Sequence, residues 1–558
     1  MMNKKPSDLL TLSRRRFLGM SALTSASALG LTTISLTSAS KAQAGWFDRT
    51  ALVQPSAPDG IANLYPAIVI GSGYGGAVSA LRLGEAGVQT LVIEMGMNWN
   101  QEASDGKVFC KMTKPDGRSF WFKDRTEAPL DSMFGIDLVN RKIERYPGVL
   151  DRVQHDGVDV FLGRCVGGGS VVNGGMAVTP KRDYFEAILP EVSSDEMYDT
   201  YFPRVREMLN VNEVPEDVYA SKYYLFSRVG ERTAEKAGYK IATVPNVYDF
   251  NYMRQEIDGK AEKSGIGAEV IYGNNAAKQS LDRNYIPAAI GTGNVTLRCM
   301  TKVTRMQQDA NGIYHLSLET IDVTGEVVET LSVSCNQLFL GAGSVGTSEL
   351  LLRAREIGDL PNLSSEIGQG WGNNGNCMLA RKNKFWDYTG GQQSGFPVRG
   401  IDNWDDPKYP AFAELAPLPA GIETYTSLYL AITKNPERGY IKYNAESDSA
   451  TVVWGANQER VGLDIAEGLF DKINKATRTD YRKGLFSNGT HHSDPFTYHP
   501  LGGCLLNKVT DNYGRVNGYQ NLYITDGSLL PGNVGVNPFL TITALAERNL
   551  EHIITHDI

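Results

Sequence analysis

The chain has 558 residues, 42% hydrophobic and 21% charged, with a formal net charge of −8. Such length and apolar content support two packed domains and exclude an intrinsically disordered chain. The acidic balance argues against a nucleic-acid partner, and the six cysteines show neither CxxC spacing nor a His/Cys cluster, so no metal site is expected.

Residues 1–44 read as an export signal outside the fold. Lys4 and Lys5 precede Ser13-Arg14-Arg15-Arg16-Phe17-Leu18-Gly19, a twin-arginine pattern, and Ala42-Gln43-Ala44 offers a small-x-small cleavage site before Gly45. The segment between them is diluted by serine and threonine and is too polar for a stable membrane span. The expected destination is extracellular. The leader carries six basic groups and one acid, so its removal takes the net charge from −8 to about −13. Folding in a reducing compartment before export predicts mostly buried free thiols.

Residues 66–94 read as strand, glycine turn, helix and strand. Ala67-Ile68-Val69-Ile70 is an apolar, β-branched run, as expected for a strand buried on both faces. Gly71, Gly73 and Gly76 follow at G-x-G-x-x-G spacing, with Tyr74 and Gly75 between. The first glycine permits the tight turn, the second lets the backbone approach a pyrophosphate, and the third lets the helix lie close on the strand. The helical pattern over 77–86 ends at Gly87, and Thr90-Leu91-Val92-Ile93 is the next strand. Glu94 stands 23 residues after Gly71, where an acid binds adenosine ribose hydroxyls. Together these predict dinucleotide binding, and the acid favours FAD or NAD over NADP.

Residues 99–150 are rich in turns and aromatics, either a packed Ω-loop or a lid over an apolar site. Gly163-Arg164-Cys165-Val166-Gly167-Gly168-Gly169-Ser170, then Asn173-Gly174-Gly175-Met176, demand close approach of the backbone to something, and a loop lying along a bound cofactor fits. Helical patterns cover 195–209 and 220–237, and strands alternate between 295 and 340. A second glycine run, Gly341 to Gly346, has no acid at the expected distance and is read as a strand–helix unit of the same dinucleotide fold; a separate NAD site is the alternative. Strands are expected over 411–433 and 440–455, His491-His492 on a solvated loop, and a final helix over 541–554.

Taken together, the opening glycine motif, GRCVGGGSVVNGGMAV, PNVYDF, YGNN, AFAELAPLPAGIET, YHPLGG and GVNPF resemble the glucose–methanol–choline family of FAD oxidoreductases, and within it the steroid-oxidising branch with dissociable flavin. The resemblance covers Pro66 to the C-terminus. It implies an α/β (α+β overall) fold, with a Rossmann-like FAD-binding domain from 66–98, 279–369 and 497–558 plus the flavin loop 163–178. The substrate domain, 99–278 and 370–496, would be built on an antiparallel sheet. It also implies that Gly71, Gly73, Tyr74, Gly75, Gly76 and Glu94 hold the adenosine diphosphate and that the Val303 backbone meets the adenine. Gly167, Gly169, Ser170, Asn173, Gly174 and Met176 would follow the isoalloxazine ring, Asp526 would bind the ribityl and pyrophosphate region, and Asn537 and Phe539 would adjoin the flavin. Non-covalent FAD is expected, although His155 lies near the glycine loop and leaves covalent attachment open.

The reaction so implied is oxidation of a 3β-hydroxysteroid by O2 to the 3-ketone with release of hydrogen peroxide, coupled to isomerisation of the 5-ene to the 4-ene ketone. His499 is the polar anchor for the hydroxyl, and its ordinary pKa suits proton exchange near neutrality. Asn537 cannot act as a base but can orient the alcohol. Glu414 lies in an otherwise apolar run, where a carboxylate is costly unless its pKa rises or it finds partners; by itself it reads first as an edge-strand acid facing water. The resemblance makes it the proton carrier. Whether Glu414 or His499 takes the hydroxyl proton stays open, with Glu414 preferred. Met176, Phe412 and Tyr498 are expected to shape the apolar pocket. Leu130, Met133, Phe134 and Leu485-Phe486 fall at the family's lid loops, so transient apolar contact with sterol-containing membranes is expected of a monomer. A flavin oxidase or dehydrogenase of another alcohol, an NAD-dependent dehydrogenase using Gly341 to Gly346, and a flavoprotein serving only as a sterol-binding or signalling module are the competing readings.

Overall fold

An apolar strand must be covered on both faces, and only residues 67–70 of the strand Leu64–Ile70 are buried, inside a seven-stranded sheet. The computed structural model describes residues 64–128, 140–485 and 495–558. The twin-arginine pattern, the cleavage site, Leu130, Met133, Phe134, Phe486 and the His491-His492 pair lie outside the described residues.

Leu64–Ile70 pairs in parallel with Thr90–Ile93 on one side and with the carboxyl half of Val327–Leu340 on the other. Val295–Arg298 extends the sheet beyond Thr90–Ile93, and Leu522–Ile524 pairs with the end of Val327–Leu340, again in parallel. The amino half of that long strand turns into an antiparallel meander with Tyr314–Ile321 and Thr301–Gln308. The second glycine run therefore enters the same sheet as the first: Ile68 faces Leu338 and Ile70 faces Leu340. This is the Rossmann-like layer expected from the sequence.

The second sheet is antiparallel. Its five strands are ordered Asn376–Lys382, Thr426–Thr433, Ala411–Ala416, Arg399–Asp402 and Lys240–Thr243. Side chains alternate across it with the period of two that a strand imposes. Ala411, Ala413 and Leu415 pack on the helix Ala456–Thr477, whose Ile465, Ala466, Leu469, Phe470 and Ile473 recur at helical spacing. Glu414 and Ala416 point to the opposite face.

Two expectations are refined. The helical pattern over 195–209 is broken by a π-helical turn at Met197–Tyr201 before Phe202–Met208. Pro203 in the first turn of the latter has no N–H to give to the preceding ladder, so the hydrogen bonds slip by one residue there. In the turn-rich region, Trp99, Phe109, Phe120, Trp121 and Tyr146 form one buried cluster with Phe161, Met378 and Leu418, so its described part is a packed loop. All six cysteines are free, five of them buried.

Candidate active site

The first functional geometry is the glycine turn. Gly71 has φ +93°, and a Cβ there would lie 2.4 Å from the Gly341 carbonyl oxygen. A Cβ on Gly75 or Gly76 would likewise strike backbone, at 1.9 Å from Thr525 O and 2.0 Å from Gly71 O. These three positions are closed by packing. Gly73 is different: a Cβ there meets nothing within 4 Å, because it faces a cavity of about 650 Å3. Gly73 also precedes the helix Tyr74–Glu85, which has neither a side-chain cap nor an acid in its first turn. Free N–H groups and the helix dipole there favour a phosphate. Glu94 borders the same space. Its carboxylate accepts from Ser72 N at 3.0 Å, Ser72 Oγ at 2.6 Å and Gly96 N at 2.7 Å, and burial pushes its pKa up.

The flavin loop is fastened directly to this turn. Gly167 N donates to Ser72 Oγ at 3.1 Å. A Cβ on Gly168 would approach the Gly73 Cα to 3.0 Å. Asn173 Nδ2 donates to Tyr74 Oη at 2.7 Å, and the Tyr74 ring stacks on Phe539 with centroids 5.0 Å apart. The buried Lys278 ammonium donates to the carbonyls of Val171 (3.1 Å) and Asn173, and burial lowers its pKa to about 7. Asp526 closes the cradle from the other side, accepting from Gly343 N and Ser528 N at 2.8 and 2.9 Å and from the Thr347 hydroxyl. Val303 borders the cavity at a bulge, where the strand pairing shifts between Val303 and Arg305. An open glycine, an uncapped helix start, an acid at the strand end and a glycine-rich loop between them fit an FAD laid across the turn.

At the other end of the cavity three polar groups converge. Thr497 and its neighbour Phe496 pair with Asp159–Gly163, which fixes the start of the Tyr498-His499 segment. His499 N donates to Thr497 Oγ1 at 2.8 Å. The imidazole Nδ1 lies 3.1 Å from Asn376 Oδ1 and 3.4 Å from Asn374 Nδ2. Asn376 Nδ2 in turn donates to Thr497 Oγ1 at 3.1 Å, whose own proton goes to Asn373 O at 3.0 Å. This chain assigns Asn376 Oδ1 as acceptor and the proton to Nδ1, leaving Nε2 as a free lone pair. The ring's remaining exposure is to the cavity it lines, and enclosure lowers its pKa to about 3, so the imidazole is neutral.

Glu414 is fully buried and faces the same cavity. Its cross-strand neighbours are Gly400 and Leu430, and Leu430 in turn faces Met378, so its surroundings are apolar. The Asn537 amide is its nearest polar neighbour, yet neither carboxyl oxygen completes a hydrogen bond, nor does Asn537 Oδ1. Burial raises the Glu414 pKa to about 8. Asn374 joins the parts, donating to Val536 O and accepting from Val534 N, both at 2.9 Å, beside its contact with His499.

Of the expected site residues, Gly71, Gly73, Tyr74, Gly75, Glu94, Gly169, Asn173, Gly174, Met176, Val303, Glu414, Tyr498, His499, Asp526, Asn537 and Phe539 line this one cavity. Four do not. Gly76 serves close packing. Gly167 and Ser170 shape the flavin loop from behind, Ser170 Oγ donating to Gly167 O at 2.7 Å. Phe412 packs behind Met176 with Tyr248, Phe396 and Val398 and is not a wall of the pocket. On the strand it shares a face with Glu414 but sits farther in, over Gly400. His155 also lies away from the cavity, taking a 3.3 Å hydrogen bond from Val452 N. Asn374, Asn376, Thr497 and Lys278 were not anticipated; the run Asn373-Asn374-Gly375-Asn376 was the available signal.

Residues 65–369 match a family model described as GMC oxidoreductase, 439–546 match another of that description, and 374–487 match one described as GMC oxidoreductase, C-terminal. The chain belongs to the GMC oxidoreductase family. It is 25% identical to the cholesterol oxidase of Acinetobacter baumannii, over 88% of this chain and 94% of that one. To the cholesterol oxidase of Mycobacterium tuberculosis it is 23% identical, over 87% and 90%. Pyridoxine 4-oxidase from Mesorbium loti shares the fold, with a TM-score of 0.59 at 15% identity over 88% of this chain and 100% of that one. As a GMC oxidoreductase the protein binds FAD and oxidises alcohols.

Proposed function

We propose that this GMC oxidoreductase oxidises 3β-hydroxysteroids such as cholesterol to the 3-ketone, with O2 as electron acceptor and hydrogen peroxide as co-product, and isomerises the 5-ene to the conjugated 4-ene. The observation carrying this reading is Glu414: an unpartnered carboxyl on an apolar wall, in one cavity with Asn537 and His499. A small polar alcohol has no use for walls of Met378, Leu418, Leu428 and Leu430; a fused hydrocarbon ring system does. The names of the two curated relatives point the same way.

When bound, non-covalent FAD supplies the hydride acceptor and the link to oxygen. The protein's own groups handle position and protons. The His499 lone pair gives the substrate hydroxyl a fixed hydrogen-bond partner, held through Asn376 and Asn374. Burial keeps the imidazole from holding a proton at working pH, whereas Glu414, at about 8 against about 3, can. In its ionised form, whose share grows as pH rises towards about 8, Glu414 takes the hydroxyl proton as the C3–H bond breaks. Asn537 turns its amide to the developing carbonyl. Once that proton has left for the hydrogen peroxide product, the freed carboxylate removes a proton from C4 and returns it to C6, with no net change in composition. Twin-arginine export, a monomeric state and transient contact with sterol-bearing membranes complete the proposal.

The test is purified protein given cholesterol in air. Peroxide and conjugated-enone absorbance should grow together, and Glu414→Gln should lower enone formation by about 10²–10⁴-fold, the usual worth of a general acid–base group. Enone formation at the wild-type rate in that variant would refute the role of Glu414. Absence of peroxide with every sterol tried would refute the steroid reading.

A further inference from the structure

Four large apolar side chains lie exposed on two neighbouring loops: Phe385 (77%), Trp386 (65%), Tyr388 (51%) and Ile422 (61%). These loops are tied down. Asn383 N donates to Tyr425 O at 2.8 Å, while Thr389 Oγ1 and Gly390 N both donate to the Glu423 carboxylate at 2.6 Å. Phe385 and Trp386 sit 4.7 Å apart by ring centroid, and Tyr388 meets Tyr425 at 6.4 Å. The result is a held apolar face.

Its position connects it to the cavity. Strand Asn376–Lys382 starts at the partner of His499 and ends at Lys382, about 20 Å away at ~3.3 Å per residue, just before Phe385. Strand Ala411–Ala416 carries Glu414, continues through the cavity wall at Pro417, Leu418 and Pro419, and then reaches Ile422. Gln393 links the two, accepting from Leu418 N at 2.6 Å and donating to Gly390 O at 3.0 Å.

Local charge opposes the sign of the whole chain. Lys382 and Lys384 lie on the first loop. Arg478 accepts through its carbonyl from Lys384 Nζ at 2.5 Å, Arg482 donates to Thr424 O and Tyr425 O at 2.8 and 3.0 Å, and Arg232 pairs with Asp387 at 2.5 Å. Against these five cations stand Asp387, Glu423 and Asp480, a local excess of +2 in a chain of −8. A second copy docking through the same patch would bring two positive faces together. Exposed Trp, Tyr and Phe beside lysine and arginine are instead the side chains that settle at a lipid–water boundary. Among the described residues no helix is long and apolar enough to cross a membrane.

We infer that the face formed by Phe385, Trp386, Tyr388 and Ile422 docks the protein on a lipid bilayer bearing anionic headgroups, beside the apolar wall of the cavity. Only the identity of the molecule passing between bilayer and cavity rests on the steroid reading; the surface stands on its rings and local charge.

Flotation of the FAD-loaded protein with sterol-free vesicles tests the surface apart from any substrate. Binding should be stronger to phosphatidylcholine–phosphatidylglycerol vesicles than to phosphatidylcholine alone. The F385S/W386S/I422S variant should bind at least about tenfold more weakly, with flavin absorbance and turnover of detergent-dispersed sterol unchanged. K382E/K384E should lose only the preference for anionic vesicles. Wild-type binding by the triple variant, or no vesicle binding by the wild type, overturns the inference. So does a dimer in sedimentation that the triple variant dissociates. If the triple variant loses vesicle binding while no sterol is oxidised in detergent by any form, the docking surface holds and the steroid reading falls.

Discussion

Glu414 combines complete burial, apolar cross-strand neighbours and two oxygens without a completed hydrogen bond. A carboxylate in that setting has lost its hydration, which the Asn537 amide offsets only in part, so its charge is disfavoured and its pKa rises from 4.5 to about 8. The consequence for stability has a definite sign. Between those two values the folded state holds the proton and the unfolded state has released it. The stabilisation is therefore complete below about pH 4.5 and is lost as pH rises through about 8. His499 has the opposite slope, but only between about 3 and 6.5. Glu414→Gln removes the titration, so its melting temperature relative to wild type should be more favourable at about pH 8.5 than at about pH 5. An equal difference at both pH values would show that the carboxyl is solvated or paired. The sequence exposed Glu414 because a charge in AFAELAP contradicts its neighbours. Asn376 and Asn374 contradict nothing, since asparagine beside glycine reads as an ordinary turn. Their role exists only once Gly372 and Leu501 pair and bring the run against His499.

At the scale of elements, the FAD cradle depends on helices that meet through one buried acid. Glu547, on Phe539–Asp557, accepts from Arg82 Nε and Nη2 at 2.7 and 2.8 Å and from Tyr285 Oη at 2.8 Å. Those partners belong to Tyr74–Glu85 and Tyr285–Gly291, so three helices are pinned behind the glycine turn. Glu547 is fully buried, whereas Arg82 is 23% exposed and keeps Glu85 as a second partner, so losing the acid mainly leaves the buried Tyr285 hydroxyl unpaired. Glu547→Ala should cost about 1–3 kcal/mol in denaturant unfolding. Combining it with Arg82→Ala should cost less than the two single losses added together. Additive losses would show that the pair does not interact. Elements with a strong period, such as the strands of the first sheet and the final helix, were legible in the sequence. The helix over 195–209 was legible as a helix but not in its π turn, because the effect of Pro203 depends on which carbonyl it meets.

At the scale of the molecule, two sheets of different kind share one cavity. The parallel layer contributes the nucleotide cradle, and the antiparallel sheet contributes Glu414 and the apolar wall. The chain visits each sheet more than once, and for that reason motifs far apart in sequence, such as Ser72 and Gly167 or Asn376 and His499, end as hydrogen-bonded neighbours. The glycine fingerprints announced the first sheet; long-range pairing, which no local pattern encodes, supplied the rest. Phe412 shows the limit: its face on the strand could be inferred, whereas its depth behind Met176 required the packed structure.

The most direct test of the account mixes the FAD-loaded protein, without oxygen, with a 3β-hydroxysteroid or with a short primary alcohol, and follows the flavin absorbance. The steroid should bleach the flavin rapidly and the short alcohol hardly at all. Bleaching by the short alcohol with none by the steroid would contradict it.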